Sequence, residues 1–243
     1  MMRPARAENA EERLDQPITD DRAHRRSLTH LRDVNRWLGG IRALQRTLAH
    51  LIVPGARVAL VDVGCGSADV PLALLRWAAA RGCHVSILAI DRGLAAARMA
   101  RHQTRDATGI RVVCADALAL PLGDASVDVA MMTLTLHHFE GPGRPAVLRE
   151  LARVSGRLVI VSDLERNWPN YVGARLLAAT VWRSNRFTRH DAPLSVRRGF
   201  TPGELLADLR DSGLRDARVS RRFFYRLVGT GTPPSSAATA QTL

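Results

Sequence analysis

"VDVGCGSADVP" (residues 61–71) joins an apolar run to a helical one through two glycines, with Asp62 just before the turn and Asp69 just after it. The stretch leading in, RVALVDV (57–63), is apolar and β-branched without alternation, the pattern of a strand buried on both faces. From Val70 to Arg81 the apolar spacing becomes helical. A strand, a glycine turn and a helix in that order let the backbone approach a ligand at a helix N-terminus.

The acids decide which ligand. A dinucleotide fingerprint, G-x-G-x-x-G, counted from Gly64 and Gly66, places its third glycine at position 69, where this chain has Asp69. A carboxylate there repels a pyrophosphate. A P-loop is excluded as well, because the chain contains no Gly-Lys-Ser/Thr and no Lys at all. A ligand that carries adenosine and positive charge but no phosphate fits a glycine turn lined with acids. S-adenosylmethionine, with its sulfonium and ammonium groups, is such a ligand.

Outward from the turn the pattern repeats. CHVSILAID (83–91), IRVVCAD (110–116), SVDVAMMTLTL (126–136) and GRLVIVSDL (156–164) read as strands, with helices over GLAAARMARHQT (93–104) and RPAVLRELARV (144–154). Alternation of this length requires right-handed crossovers and a parallel sheet with helices on both faces. Ligands of such sheets bind at the carboxyl ends of the strands, where Asp62, Asp91, Asp116 and the His137-His138 pair all fall. Upstream, LTHLRDVNRWLGGIRALQRTLAHLI (28–52) reads as two short helices broken at Gly39-Gly40. Downstream, NYVGARLLAATVW (170–182) reads as a helix and RSNRFTRHDAPLSVRRGF (183–200) as an Arg-rich loop. TPGELLADLRDSG (201–213) reads as a helix capped by Thr201 and Glu204, and ARVSRRFFYRLVG (217–229) as two short antiparallel strands.

Composition narrows the class. The 243 residues, 46% of them hydrophobic, suffice for one domain with a lid or extension. The net charge of +12 raises nucleic acid as a partner. Every basic residue is Arg and the charge is spread along the chain, however, so nucleic acid is not the expected partner. Cys65, Cys83 and Cys114 show no metal spacing and read as reduced thiols. No apolar run approaches the roughly 18 residues of a membrane span, and the chain is expected to be cytoplasmic, a monomer or a homodimer.

The motifs together resemble the class I S-adenosylmethionine-dependent methyltransferases, in the small-molecule branch similar to the ubiquinone and menaquinone biosynthesis and polyketide-pathway enzymes. The resemblance spans about Arg57 to Leu164. It implies a Rossmann-like α/β fold with a seven-stranded, mostly parallel sheet, helices on both faces and an antiparallel last strand. It also implies a division into a flexible charged arm (1–26), a helical lid (27–53), a methyltransferase domain (54–229) with an acceptor cap at about 165–200, and a disordered tail (230–243). By the same resemblance, Asp62, Gly64, Cys65, Gly66 and Asp69 hold the methionine part of the cofactor. Asp91, with Arg92 beside it, takes the ribose hydroxyls, Asp116 and Ala117 read adenine, and Thr133 leads to the transfer site. Ala68 departs from the family pattern by standing where a third glycine is frequent.

His137 and His138 are candidate general bases, because an unperturbed imidazole suits that role at neutral pH. His190 with Asp191 is a second candidate pair. Arg189, Asp191, Arg197 and Arg198 are placed to meet an acidic or phenolate acceptor, and Trp37 and Asn35 to reach into the ligand site. The expected reaction is O-methylation of a hydroxylated aromatic or polyketide-like metabolite in secondary metabolism. Alternatives are C-methylation of a quinone-type precursor, RNA methylation, and a non-catalytic partner protein of the same fold. RNA is disfavoured because TLHHF (135–139) stands where base amino-methyltransferases usually have an N/D-P-P-Y/F motif. No metal is expected, although Asp163, Glu165 and Asn167 carry oxygen donors after strand five.

Overall fold

The computed structural model describes residues 3–8, 10–15 and 21–234. Seven strands form one sheet: β1 (Arg57–Val63), β2 (His84–Asp91), β3 (Ile110–Cys114), β4 (Val127–Thr133), β5 (Ser155–Leu164), β6 (Arg215–Arg222) and β7 (Arg226–Thr232). Their order is β3-β2-β1-β4-β5-β7-β6. The first five strands run parallel, and β7 lies antiparallel between β5 and β6. The order reverses at β1, which pairs β2 through Asp62↔Ala89 and β4 through Asp62↔Met131. The topological switch point, where open α/β sheets bind ligands, therefore coincides with the acidic glycine turn.

The helices explain why the central strands are apolar throughout. Along β4, Val129 and Met131 join one core with Leu44, Leu48, Leu74 and Ile87, while Ala130 and Met132 join the other with Leu148, Leu151, Leu205 and Leu209. Both faces of the sheet are thus covered, by α2 (Gly40–Leu48), α3 (Asp69–Ala79) and α4 (Leu94–Thr104) on one side and α5 (Gly143–Val154) and α8 (Pro202–Asp211) on the other. The expected capping box of α8 is present, with Glu204 N–H donating to Thr201 and Thr201 N–H donating to Glu204.

Three expectations are revised. The Arg-rich segment after α6 (Trp168–Ala179) is a helix, α7 (Arg186–Arg198), despite Pro193 in its interior. Asn185 caps it by accepting from the N–H groups of Phe187 and Thr188, and Phe187, Asp191, Val196 and Arg198 form its buried face. The N-terminal segment expected as a free arm is docked where it is described. Asp191 accepts from the N–H groups of Arg13 and Leu14, and α1 (Asp21–Trp37) begins within the expected arm. The expected tail begins inside β7, since residues 230–232 pair with β5 and β6; its remainder from 235 lies outside the described residues.

Candidate active site

The turn after β1 is built to expose backbone. Gly64, Gly66 and Ala68 all take positive φ, at 75°, 54° and 60°. A Cβ on Gly64 would sit 2.4 Å from Thr135 Cγ2, so that position requires glycine. Ala68 holds the same left-handed geometry with a side chain, at a cost of roughly 1–2 kcal/mol. Asp91 braces the turn by accepting from Gly66 N–H and Gly93 N–H, both at 2.8 Å.

Around this turn lies a cavity lined by Leu28, Asn35, Asp62, Gly64, Ser67, Asp69 and Thr133, among others. Asp62 is 1% exposed, and its Oδ1 has no hydrogen-bond partner; neither does the buried Thr133 Oγ1. Burial, with Asp69 and Asp91 close by, pushes the Asp62 carboxyl well above the usual range. Burial likewise raises Asp69, against the opposing hydrogen bond from Asn35 Nδ2 at 3.2 Å. Two desolvated acids and two orphaned oxygens fit a cationic, hydrogen-bonding ligand. Cys65 is buried beside them, its thiol pushed up by burial and by the neighbouring acids, and serves as a small filler.

A second cavity adjoins the first and shares Leu31 and Leu134 with it. Its apolar wall includes Leu14, Val34, Leu164 and Trp182, and its polar groups are Glu12, Ser27, His30, His137, His138, Thr188, Asp191 and Ser195. Helix α1 roofs both cavities, giving His30, Leu31 and Val34 to one and Leu28, Leu31 and Asn35 to the other. Leu134, on the shared boundary, has φ of 52°, a conformation rare for a residue with a branched side chain.

His137 and His138 occupy a 3-10 turn just after β4. His137 Nδ1 lies 2.7 Å from Asp163 Oδ1, and its Nε2 lies 3.4 Å from Glu12 Oε1. All three side chains are nearly inaccessible. Burial lowers the His137 pKa, but Asp163 and Glu12 outweigh it and raise the group to about 10. Glu12 is lowered to about 2, because the charges of His138 and His137 and a hydrogen bond from Ser195 overcome its burial. An imidazole held charged does not accept a proton, so in this state His137 is not the base expected from sequence. His30 has the opposite character: burial lowers its pKa against the pull of Asp33, keeping it neutral, and its Nδ1 contacts Thr188 Oγ1 at 2.9 Å.

Several other expected site residues stand elsewhere. His190 is exposed and pairs with Asp191 at 2.8 Å, but only Asp191 reaches the cavity, where it anchors the N-terminal segment. Arg189 is exposed on α7. Arg197 donates to the Ala5 carbonyl and so ties the N-terminal segment to α7, while Arg198 donates to the carbonyls of His137, His138 and Ala10 and so ties both that segment and the histidine turn to it. Trp37 is 69% exposed, beneath the Arg36 guanidinium, and faces neither cavity. Asn35 does reach the acidic, glycine-lined cavity. Arg92 and Asp116 are exposed near the ends of β2 and β3, with Asp116 Oδ1 accepting from Leu118 N–H; Ala117 is buried beside them. Of the oxygen donors after strand five, Asp163 is engaged with His137, Glu165 with Arg221 and Asn167 with the first turn of α6, so they do not converge on one point.

Glu12, His30, Trp182 and Ser195 were not singled out from sequence. Glu12 sits in a charged segment without periodicity. His30 could have been found from its place beside Leu31 and Val34 on the predicted lid helix.

Residues 61–160 match the methyltransferase domain family. Among solved structures, an S-adenosylmethionine-dependent methyltransferase from Aquifex aeolicus is 18% identical, with 89% of this chain and 100% of that one covered and a TM-score of 0.64. Human N-acetylserotonin methyltransferase, solved with S-adenosylmethionine, is 16% identical over 86% of this chain and 55% of that one, with a TM-score of 0.63. The cyclase SpnF is 22% identical over 74% of this chain and 59% of its own, at a TM-score of 0.52. No helix among the described residues is long and apolar enough to cross a membrane. On this sheet order and this domain match, residues 61–160 carry a methyltransferase domain, set in the fold shared with solved S-adenosylmethionine-dependent methyltransferases.

Proposed function

We propose that the protein transfers the methyl group of S-adenosylmethionine to a hydroxyl of a small, largely apolar acceptor, of the hydroxylated aromatic or polyketide type. The single observation that carries this reading is the pair of adjoining cavities that share Leu31 and Leu134, one acidic and glycine-lined, the other apolar with histidines. S-adenosylmethionine, when bound, supplies an electrophilic methyl group on a sulfonium. Asp62 and Asp69 complement the cationic end, Gly64 and Gly66 give it room, and Asp91 is available for the ribose hydroxyls. Asp116 and Ala117, at the end of β3, are assigned to adenine.

The second cavity holds the acceptor. Leu134 and Leu31 set the approach between the two ligands, so that much of the acceleration comes from orientation in a water-poor site. His30, neutral and on the cavity wall, takes the acceptor's proton. Roofing by α1 and by Glu12 and Leu14 leaves a space suited to one small molecule and poorly suited to a base within a long polymer.

The test is incubation of the purified protein and S-adenosylmethionine with a panel of phenols and hydroxylated polycyclic ketones, with products read by mass spectrometry. O-methylated product from apolar phenols, absent with their methyl ethers, supports the assignment. C-methylated product alone would replace it with the quinone-type reading.

A further inference from the structure

We propose that Glu12, His137 and His138 bind one divalent transition-metal ion of the zinc or cobalt kind, with its open coordination position facing the second cavity. The placement of that open position rests on the reading of the cavity as the acceptor site; the metal site itself does not.

The donors come from two distant parts of the chain and converge. His137 Nε2 is 3.4 Å from Glu12 Oε1, His138 Nε2 is 3.9 Å from Glu12 Oε2, and donor atoms of all three residues lie within 4.8 Å of one another. Zinc bonds to imidazole nitrogen and carboxylate oxygen are about 2.0–2.2 Å, so tetrahedral ligands stand roughly 3.3 Å apart. One edge already has that span, and the others close with side-chain shifts of about 1 Å.

Independent of the clustering, His137 Nε2 is buried and makes no hydrogen bond of ordinary geometry, with Glu12 Oε1 3.4 Å away. An imidazole nitrogen so enclosed, aimed at a carboxylate and a second imidazole, is what a metal ligand looks like before the ion arrives. The surroundings supply the outer partners such a site uses. Asp163 Oδ1 holds His137 Nδ1 at 2.7 Å, which fixes the ring and leaves Nε2 as the donor. Ser195 Oγ donates to Glu12 Oε1 at 2.8 Å, and Arg198 grips the carbonyls of both histidines.

Two histidines and one carboxylate leave a coordination position open, the arrangement of catalytic and not structural zinc. Here all three ligands line the acceptor cavity. A hydroxyl seated at that position would be oriented by the ion and made more acidic, its proton passing to His30 and the charge on its oxygen being held by the metal. The competing occupant of the gap between His137 and Glu12 is a proton, which would make the cluster a structural clamp on the N-terminal segment.

Titration of cobalt(II) chloride into the chelator-treated full chain separates the two. The expected result is one ion per chain with the intense visible absorption of low-coordinate cobalt, weakened at least tenfold by Glu12→Gln and by His138→Gln, and about 10–100-fold by Asp163→Asn. His102→Ala, exposed on α4 and outside both cavities, should bind as wild type does. Because Glu12→Gln and Asp163→Asn remove buried charges, His138→Gln, at a position 21% exposed, is the variant that keeps the test free of folding defects. Absence of the visible bands in wild type, or equal bands in His138→Gln, overturns the proposal. Binding of S-adenosylhomocysteine and methyl transfer are followed in the same samples. Transfer that continues in chelator without bound metal overturns the ion's part in transfer and leaves the methyl-transfer reading intact. A bound ion with no transfer to any acceptor supports the site and removes the acceptor reading.

Discussion

The backbone N–H of Gly66 donates to Asp91 Oδ2 at 2.8 Å, so the acid that ends β2 also braces the glycine turn that ends β1. Removing that carboxylate loosens the turn and, on the proposed function, takes away the acceptor of the ribose hydroxyls. Asp91→Ala is expected to weaken S-adenosylhomocysteine binding by at least tenfold, from the loss of charge-assisted hydrogen bonds worth about 1.5–3 kcal/mol each. Asp91→Asn, which keeps one acceptor oxygen, should fall between Ala and wild type. Isothermal titration calorimetry reads both, and equal affinity in Asp91→Ala and wild type would remove Asp91 from the cofactor site.

Gly64 combines positive φ with a Cβ position 2.4 Å from Thr135 Cγ2. Gly64→Ala is therefore expected to destabilise the protein by about 1–3 kcal/mol, with backbone strain and overpacking both contributing. Thr135→Ala in the same chain should recover part of the loss, because it removes the nearest atoms but not the strain. Denaturant unfolding of the single and double variants is the measurement.

The raised carboxyls of Asp62 and Asp69 give cofactor binding a defined pH dependence. Between the ordinary carboxylate range and their raised values, these groups hold more protons in the folded chain than in the unfolded one. The cofactor-free protein therefore loses stability as pH rises through that window. A cationic ligand favours the carboxylates, so its affinity should move the opposite way, tightening as pH rises and releasing protons on binding. Calorimetry in buffers of differing ionisation enthalpy detects the released protons; affinity flat with pH would contradict the role of the acid pair.

Burial keeps His30 neutral on the acceptor wall, whereas His190 lies exposed outside it. His30→Ala is expected to lower kcat by about 10²–10⁴ with cofactor affinity unchanged, and His190→Ala to change kcat less than about twofold, within the usual range of surface substitutions. Steady-state kinetics on any turned-over acceptor distinguishes them.

Leu134 is held at φ 52° on the boundary shared by the two cavities. Leu134→Ala should lower kcat roughly 10–100-fold through a looser approach of the ligands, while S-adenosylhomocysteine binds within about twofold of wild type. A loss confined to cofactor affinity would place Leu134 outside the transfer geometry.

The sheet was legible because its strands are buried on both faces and its acids stand at their ends, so local pattern and global position agree. RVALVDV and VDVGCGSAD carried the switch point without help from the rest of the chain. Helix α7 was hidden by Pro193 and by its Arg content. Its stability comes from tertiary contacts of Phe187, Asp191 and Val196 and from the Asn185 cap, of which only the cap and the spacing of Phe187 to Asp191 show in the sequence. The acceptor site was legible only in part. His137 and His138 could be placed at the end of β4, but the charge on His137 depends first on Asp163 and then on Glu12, more than a hundred positions away, and no periodicity links them. His190-Asp191 looked like a base and its orienter because adjacency in sequence says nothing about which of the two faces a cavity.

The most direct measurement of the central claim is transfer of labelled methyl from S-adenosylmethionine to two fractions of the native cell, an organic-solvent extract and purified total RNA, with Asp91→Ala as control. The account predicts label in a component of the extract that disappears with the variant. Label in RNA alone would contradict it and give the Arg-rich surface the role assigned here to the enclosed cavity.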